Sequence, residues 1–354
     1  MSHAASSFNQ AELTARIKQW GRQLGFDAVG IAAATLGDAE AGLNEWLARG
    51  WHGEMDYMAR HGARRARPSA LVAGTVSVIC ARMNYWPRAA GAPANLADPS
   101  RAYVSRYALG RDYHKVMKRR LRDLTRRIES EVGTFQHRVF TDSAPVMEVE
   151  LAGNAGLGWR GKHTLLLERE AGSTFFLGEI YTELALRADE PLADHCGTCS
   201  RCMAACPTGA IQAPYRLDAR LCISYLTIEL KGSIPEPLRP LIGNRIVGCD
   251  DCQLCCPWNR HAPMTIEPDF AVRNGLDAVT LVELFGWSES EFRARMAGSA
   301  IFRIGYERWL RNIAVALGNA PSSSEVVAAL AARREHDSPL VREHVAWALA
   351  RLSR

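Results

Sequence analysis

The sequence lacks any long apolar run and any leader at its start. No stretch approaches the ~18 apolar residues that a membrane-spanning helix needs. The first ten residues, MSHAASSFNQ, do not place a basic segment before an apolar one, as a secretory signal peptide does. We therefore predict a cytoplasmic protein with no membrane partner, in which thiols stay reduced and structural disulfides are not expected.

A strong charge imbalance is also missing. The chain has 43 Lys and Arg against 38 Asp and Glu, and a net charge of +5 does not by itself indicate a nucleic-acid-binding protein. The 354 residues are 47% hydrophobic, which is typical of a globular protein, and this length predicts two or three domains.

Cysteine, by contrast, is abundant and clustered. Of the 10 cysteines, all but Cys80 lie between residues 196 and 256. Such clustering in a protein without export signals points to metal binding before disulfides. We expect Cys80, inside an apolar strand, to be a small buried side chain.

The run HCGTCSRCMAACPTGAI has the C-x2-C-x2-C-x3-C-P spacing of bacterial ferredoxins. The first three cysteines of such a run bind one [4Fe–4S] cluster, and the fourth binds a second cluster. A second cysteine group is therefore required, and GCDDCQLCCPWN supplies it. Zinc sites more often use two separated C-x2-C pairs, so we predict two [4Fe–4S] clusters.

The clustered cysteines outnumber the eight ligand positions of two such clusters by one. Crossing between the two groups predicts that one cluster is bound by Cys196, Cys199, Cys202 and Cys256. The other is bound by Cys206, Cys249, Cys252 and a fourth cysteine. Cys222 and Cys255 are both candidates for the fourth position, and spacing alone slightly favours Cys255.

Hydrophobic periodicity divides the chain into three regions. Up to residue 190, helix-like and strand-like segments follow the order α, β, β, α, β, α, β, β, which predicts an α/β or α+β domain. Within it, residues 88–99 have the composition of a loop. The C-terminal region has helical patterns throughout, and its last two helices are spaced like one HEAT-like repeat. We predict domains at 1–190, 191–265 and 266–354.

The segment FTDSAPVMEVEL places Asp142 where a predicted strand gives way to a helix. Asp, Ser and an early Pro are typical of a helix N-terminus, so the pattern alone favours a helix cap. The alternative is a carboxylic acid at a strand end, with a pKa that burial raises so that it can donate a proton.

Two segments suggest nucleic-acid or nucleotide binding. A surface helix within 111–132 carries seven cations, which suit a polyanion surface and a plain solvated face equally well. They are Lys115, Lys118, Arg119, Arg120, Arg122, Arg126 and Arg127, and the C-terminal helices add Arg308, Arg311, Arg333, Arg334, Arg342 and Arg351. GLGWRGKH is close to a P-loop but lacks the Ser or Thr and the helix that should follow, so we exclude nucleotide hydrolysis.

Taken together, these segments resemble the epoxyqueuosine reductase family. The resemblance rests on GEMDYMARHGARRARP, RYALGRDYHKV, DSAPVMEVELAGNAGLGWRGKHTLLLE, LDARLCISYLTIELKGSIP and the two cysteine groups. It implies a cobalamin-binding α/β (α+β) domain resembling reductive dehalogenases, a ferredoxin-like two-cluster module and C-terminal HEAT-like helices. It also implies reduction of epoxyqueuosine to queuosine at the wobble position of tRNA, with cobalamin and two [4Fe–4S] clusters.

The same resemblance implies residue roles. Asp142 becomes the proton donor, Cys222 the fourth ligand of the second cluster, and Cys255 a spare thiol. The segments lining the cobalamin pocket contribute Arg65, Ser105, Asp112, His114, Asp142, Lys162 and Thr164. The basic helix and the C-terminal arginines would contact phosphates of the tRNA anticodon arm. The chain departs from the family pattern at Val149, where Arg is expected, at His163, where Asn is expected, and at Cys255, where an apolar residue is expected.

Two other functions are compatible with the residues. A ferredoxin-type electron-transfer protein explains the cysteines but not the long region before them. A cobalamin-dependent reductase of a small molecule explains both, although such dehalogenase-like enzymes act mainly after export. We expect a monomer that receives electrons from a low-potential donor, whose identity the sequence does not reveal.

Overall fold

The computed structural model describes residues 9–354, so most of the N-terminal segment MSHAASSFNQ lies outside the described residues. Helices α1 to α15 span Gln10–Gln23, Ala39–Ala48, Tyr57–Arg60, Pro68–Leu71, Ala92–Ala97, Tyr113–Val132, Glu148–Asn154, Arg201–Ala205, Arg239–Ile242, Asp251–Leu254, Leu281–Gly286, Glu289–Met296, Tyr306–Gly318, Ser324–Ala331 and Pro339–Leu352. Strands β1 to β10 span Ala28–Ala33, Ser77–Asn84, Tyr103–Val104, His137–Phe140, Trp159–Arg160, Leu166–Leu167, Phe175–Thr182, Ile211–Ala213, Arg216–Leu217 and Arg245–Val247. No helix within 9–354 is long and apolar enough to cross a bilayer.

An antiparallel sheet of four strands, in the order β1-β2-β7-β4, organises the first half of the chain. Helices α1 and α6 pack on one face, around Ile17, Ile79 and Met117. Helix α7 packs on the other face, around Leu151 and Cys80. The central strands are therefore buried on both sides, and the predicted mixed α/β fold is confirmed, with antiparallel pairing in this sheet.

Helix α6 shows why the sequence folds as it does beside the site. Its apolar stripe of Met117, Leu121, Leu124 and Ile128 is fully buried against the sheet. Asp112 caps its N-terminus by accepting the backbone N–H of His114 at 3.1 Å. The first turn of α6 is thereby fixed beside the loop that follows β4.

The C-terminal helices share their core with earlier parts of the chain. Helix α13 packs on α15 so closely that a Cβ at Gly318 would lie 2.6 Å from the Trp347 ring. The same core contains residues 102–109 and 246–247, and β3 pairs in parallel with β10. This core includes residues from both sides of the domain boundaries predicted at 190 and 265. The division into three domains stays a prediction.

One local expectation was wrong. Residues 88–99 contain helix α5, because Pro93 suits a first helical turn and buried Asn95 donates to the carbonyl oxygens of Ala102 and Asp277. The segment HTLLLERE contains only the short strand β6. The glycine-rich segment before it forms the β5–β6 hairpin, where a Cβ at Gly158 would lie 2.2 Å from the Leu167 oxygen, and no P-loop helix follows.

Candidate functional site

Two cavities meet at the end of strand β4. The larger has a volume of about 660 Å³ and the smaller about 410 Å³. Asp142, Glu148, Val149, Thr164 and Leu217 line both. Val149, the first departure from the family pattern, thus lies at the junction of the cavities. Two carboxyl groups, those of Asp142 and Glu148, therefore face both adjoining spaces.

The backbone at this junction is strained. Asp142 has φ of 49° and Thr164 has φ of 74°, both in the left-handed region that residues other than glycine rarely adopt. Helix α7 begins only at Glu148, and its N-cap, Met147, makes no side-chain capping bond. The helix-cap interpretation of Asp142 was therefore wrong. Strain of this kind is typical of functional sites.

Asp142 belongs to a chain of hydrogen-bonding groups at the start of α6. Its Oδ2 accepts from the Tyr113 hydroxyl and lies 2.9 Å from Nε2 of His114. Nδ1 of His114 lies 2.8 Å from Oδ1 of Asp112, so the imidazole sits between two carboxylates. Arg303 in turn reaches Asp112 at 3.1 and 3.2 Å. We call Asp112, Tyr113, His114 and Asp142 the acid group.

The pKa shifts in the acid group differ from the expectation of a protonated Asp142. Burial raises the pKa of Asp142, but hydrogen bonds from His114 and Tyr113 outweigh it, and the net pKa lies below the usual value. Burial lowers the pKa of His114, but its bonds to Asp112 and Asp142 outweigh it, and the net pKa is raised. The direction of the pKa shift at Asp142 is opposite to the one expected, and the two shifts favour the proton on His114 over Asp142.

Two further carboxyls lie behind Asp142. Burial first, and then the charge of Asp142, raise the pKa of Glu148 to about 8. Burial and the adjacent Glu148 raise the pKa of Glu179, on β7, well above its usual value. Sequence reasoning missed both residues. The available signal was a glutamate inside the apolar strand FFLGEIYT, where a charged residue is rarely buried without a partner.

The cysteines form two separate groups. Four line the smaller cavity and are called the inner thiol group: Cys206, Cys222, Cys249 and Cys252. Four others surround a different cavity of about 230 Å³ and are called the outer thiol group: Cys196, Cys199, Cys202 and Cys256. Cys255 lines neither cavity, and its thiol lies 3.5 Å from the carbonyl oxygen of Cys252.

These groups suit clusters better than a single ion. All 10 cysteines are free thiols, so none is committed to a disulfide. Within the described chain, no three His, Cys, Asp or Glu side chains meet closely enough to hold one metal ion. Each set of four thiols instead surrounds an open space, as the four-thiolate ligation of a [4Fe–4S] cluster requires.

The smaller cavity also has features that fit a large, flat cofactor. Its wall is largely apolar and aromatic, with Tyr107, Phe175 and Phe176 among its residues. His163 lines both this cavity and that of the outer thiol group. Nδ1 of His163 accepts the Leu165 N–H at 3.2 Å, while its buried Nε2 has no partner in the described residues. Burial lowers the pKa of His163 to about 4, so the ring is neutral and this nitrogen is a free donor.

The remaining candidate pocket residues occupy different positions. Buried Arg65 lines the larger cavity and donates to the Tyr57 oxygen at 2.9 Å. Ser105 lines the smaller cavity and donates to Oδ1 of Asp250 at 2.5 Å. Asp112 and His114 stand behind Asp142 and line neither cavity. Lys162 lies instead at the outer thiol group, because its Nζ donates to the carbonyls of Gly197 and Cys199 at 2.5 and 2.9 Å.

The cations proposed to bind tRNA are only partly available. On α6, four arginines already have partners: Arg119 with Asp269, Arg120 with Glu267, Arg126 with Asp123, and Arg127 with Gln23. Lys115, Lys118 and Arg122 form no ion pair within the described chain, and Nζ of Lys118 lies 3.5 Å from Ser143 Oγ, beside Asp142.

Among the C-terminal arginines, Arg311 is fully buried and donates to the carbonyls of Leu226, Leu230 and Gly232. Its predicted phosphate contact was therefore wrong. Arg308, Arg333 and Arg342 also donate to backbone carbonyls, which leaves fewer free guanidinium groups than the sequence suggests.

Comparison with known proteins places the chain in a family. The family model described as "Epoxyqueuosine reductase QueG, DUF1730" matches residues 65–143, and that of a "4Fe-4S double cluster binding domain" matches residues 195–259. An epoxyqueuosine reductase of Burkholderia pseudomallei (strain K96243) is 60% identical over 376 residues, covering 96% of this chain and 92% of the relative. The chain belongs to the epoxyqueuosine reductase family. That of Escherichia coli (strain K12) is 56% identical over 340 residues, covering 96% and 89%.

Solved structures of the epoxyqueuosine reductase family agree with this assignment. One, a complex with an epoxyqueuosine-modified stem loop of tRNA-Tyr, is 27% identical with a TM-score of 0.90, over 98% of this chain and 92% of that one. Another, from Bacillus subtilis, has its catalytic aspartate loop swung out of the active site. It is 27% identical with a TM-score of 0.87, over 97% and 91%. The predicted family and the double-cluster module are confirmed.

Proposed function

We propose that this epoxyqueuosine reductase acts at the junction of the two cavities, reducing epoxyqueuosine to queuosine at the wobble position of tRNA. Cobalamin would occupy the smaller cavity and [4Fe–4S] clusters the two thiol groups. One observation carries the proposal: the inner thiol group and Asp142 line the same cavity. A source of electrons and a source of protons therefore converge on one space.

The chemistry requires both sources. Converting the epoxide to an alkene breaks two C–O bonds, consumes two electrons and two protons, and releases water. The side chains that line the cavities do not themselves supply low-potential electrons. When bound, the clusters would pass one electron each and cobalamin would supply a strongly reducing cobalt centre.

The geometry supports the ligand set that the family resemblance implies. Cys196, Cys199, Cys202 and Cys256 would hold the outer cluster, and Cys206, Cys222, Cys249 and Cys252 the inner one. Cys222 is favoured over Cys255 because its side chain faces the cavity of the other three inner thiols. Cys255 then remains a spare thiol.

The acid group would deliver the proton to the leaving oxygen through Asp142. The Asp142 side chain is 53% exposed because it opens into the cavities, and water there stabilises its charge. Filling the cavities with cofactor and substrate removes that water and raises the cost of the negative charge. The proton of His114, 2.9 Å away, then moves to Asp142, which is positioned to pass it on.

The larger cavity fits the substrate. Trp46, Trp51 and Tyr57 line it, and aromatic faces of this kind stack on unpaired bases of RNA. The stem-loop complex of the related enzyme supports a tRNA anticodon arm as the partner. By analogy with the Bacillus subtilis enzyme, we also propose that the Asp142 loop has an inward and an outward position.

The rest of the proposal concerns the setting of the reaction. The protein would act as a cytoplasmic monomer and take electrons from a low-potential donor. The first region would share the cobalamin fold of reductive dehalogenases. The C-terminal helices would form HEAT-like pairs, which the packing of α13 and α14 on α15 supports.

Anaerobic incubation with epoxyqueuosine-containing tRNA, cobalamin and a reductant tests the function, with nucleoside mass analysis as readout. We expect queuosine from the natural chain, and about 10²- to 10⁴-fold slower turnover from Asp142→Asn with unchanged iron content and cobalamin binding. Turnover by Asp142→Asn at the natural rate would exclude its role as donor. Bound cobalamin without activity on tRNA would indicate a small-molecule reductase. A chain that binds clusters but no cobalamin would indicate an electron-transfer protein.

A further inference from the structure

Glu179 is a fully buried carboxyl that the reaction described above does not use. It lies in the middle of β7, opposite Cys80 of β2 and Phe140 of β4, and its exposure is 0%. Helix α7 packs on β7 and brings the carboxyl of Glu148 within hydrogen-bonding reach of that of Glu179. No group within residues 9–354 donates a hydrogen bond to either oxygen of Glu179. The only polar contact of this buried acid is therefore a second acid.

Two ionised carboxylates cannot form this contact. Each only accepts hydrogen bonds, and their charges repel strongly where water is excluded. One proton between them turns the contact into a hydrogen bond from a carboxylic acid to a carboxylate. Other titratable groups face the pair from Cys80 and Tyr181 beside Glu179, and from Arg65, Tyr113, His114 and Asp142 beside Glu148. None of them donates a hydrogen bond to Glu179.

The pair is connected to the catalytic loop through the backbone. Oε1 of Glu148 accepts the backbone N–H of Asp142. This residue has the strained left-handed conformation, and the adjoining contact of Arg65 with the Ala144 oxygen is long, at 3.4 Å. The carboxylate of Glu148 therefore anchors the backbone of the loop at Asp142, while Tyr113 and His114 hold the Asp142 side chain.

We propose that Glu148 and Glu179 are positioning residues that share one proton and thereby hold the Asp142 loop inward. Glu179 donates to Glu148, which keeps Glu148 oriented to accept the Asp142 N–H. This inference rests on the proposed function in taking Asp142 as the proton donor and in giving its loop an inward and an outward position. The bond itself exists in the protein without cofactor or substrate.

Amide hydrogen exchange at Asp142, in the protein without cobalamin or tRNA, tests the anchor directly. Glu179→Gln keeps a donor of nearly the same shape, so we expect exchange like that of the natural chain. Glu179→Met removes the donor, and losing one hydrogen bond should speed exchange by roughly two- to tenfold. Glu148→Leu removes the acceptor itself at a half-buried position, so it should speed exchange equally and gives a second test if Glu179→Met does not fold.

The pH dependence separates a shared proton from a plain contact. Burial and the adjacent Glu148 hold the pKa of Glu179 well above its usual value, so the shared proton stays on Glu179 as the pH rises through the pKa of Glu148, about 8. The ratio of Asp142 exchange in the natural chain to that in Glu179→Gln should therefore stay constant across pH 8. A ratio that rises there would mean that both carboxyls ionise and repel each other. Infrared spectra at pH 7 should also show a buried carboxylic acid carbonyl band that Glu179→Gln lacks.

Turnover gives the second readout. We expect kcat to fall in Glu179→Met, with KM nearly unchanged, and to recover in Glu179→Gln. Natural exchange rates in both Glu179→Met and Glu148→Leu would overturn the proposal, as would a Glu179→Gln variant that exchanges as fast as Glu179→Met. Because exchange is measured without cofactors, an inactive natural chain would refute the proposed function while leaving this result intact.

Discussion

The two sides of the smaller cavity differ in how the chain builds them. The inner thiol group comes from three segments, of which two have cysteines recognisable by spacing, whereas Cys222 was implied by the family resemblance. The acid group comes from the first turn of α6 and the loop after β4, which meet only through tertiary packing. Electrons and protons would therefore reach the cavity from different elements. Each supply can be removed by mutation without disturbing the other, and the following predictions test this separation.

The largest effect is expected on the thiol side. Cys222→Ala removes one inner thiolate, so the inner cluster should be lost and iron should fall from roughly eight to roughly four atoms per chain. Turnover should be abolished because no cluster would then adjoin the smaller cavity. Iron and sulfide analysis, together with electron paramagnetic resonance of the reduced protein, measures the loss.

Cys255→Ala is the matched control. Its thiol lies outside the cavities of the inner and outer thiol groups, so both clusters and turnover should be retained. Loss of a cluster in Cys255→Ala alone would show that Cys255, which the spacing favours, is the fourth ligand of the inner cluster in place of Cys222.

A smaller effect is expected from the cations of α6 that form no ion pair within residues 9–354, on the helix that begins at the acid group. Replacing Lys115, Lys118 and Arg122 by Gln should weaken tRNA binding and reduce the slope of log affinity against log salt by about 1 for each phosphate that the helix no longer neutralises. Cluster content should not change. Binding titrations at several salt concentrations measure the slope.

Arg126→Gln is the control on the same helix, because Arg126 is already paired with Asp123. An equal reduction of the slope in this variant would mean that the ion pairs of α6 open on binding. An unchanged slope in the triple variant would remove α6 from the tRNA surface.

The difference between the two sides also explains what the sequence could reveal. Cluster ligation depends on short spacings, so the run from Cys196 to Cys206 predicted the double-cluster module. The apolar stripe of α6 predicted a surface helix packed by one narrow face for the same reason. Both patterns are local, and both predictions were confirmed by the family match or the fold.

Features that depend on contacts between distant segments could not be predicted from local spacing. The partnership of Asp142 with His114 requires β4 to end beside the start of α6, and Arg303 comes from nearly two hundred residues further on. A pKa is set by all such neighbours together, which is why burial alone gave the wrong direction for Asp142. Charge counts likewise did not reveal that Arg311 is consumed by backbone carbonyls.

The smallest effect is expected from replacing Arg303, which should change the acid group and leave the two thiol groups unaltered. Its positive charge lowers the pKa of His114, although the bonds to Asp112 and Asp142 keep the net pKa raised. Arg303→Ala removes that cation, so the pKa of His114 should rise further. Because His114 supplies its proton only below its pKa, the alkaline limb of kcat/KM should move to higher pH.

The shift should be less than about 1 pH unit, since the Arg303 side chain is 50% exposed and solvent screens its charge. Arg303→Lys keeps the charge and should leave the limb in place, and the resonance signals of both clusters should match those of the natural chain. A limb that moves to lower pH in Arg303→Ala would mean that the loosened Asp112 carboxylate, and not the cation, governs the proton on His114. Altered cluster signals would instead show that the proton and electron sides are coupled through the cavity they share.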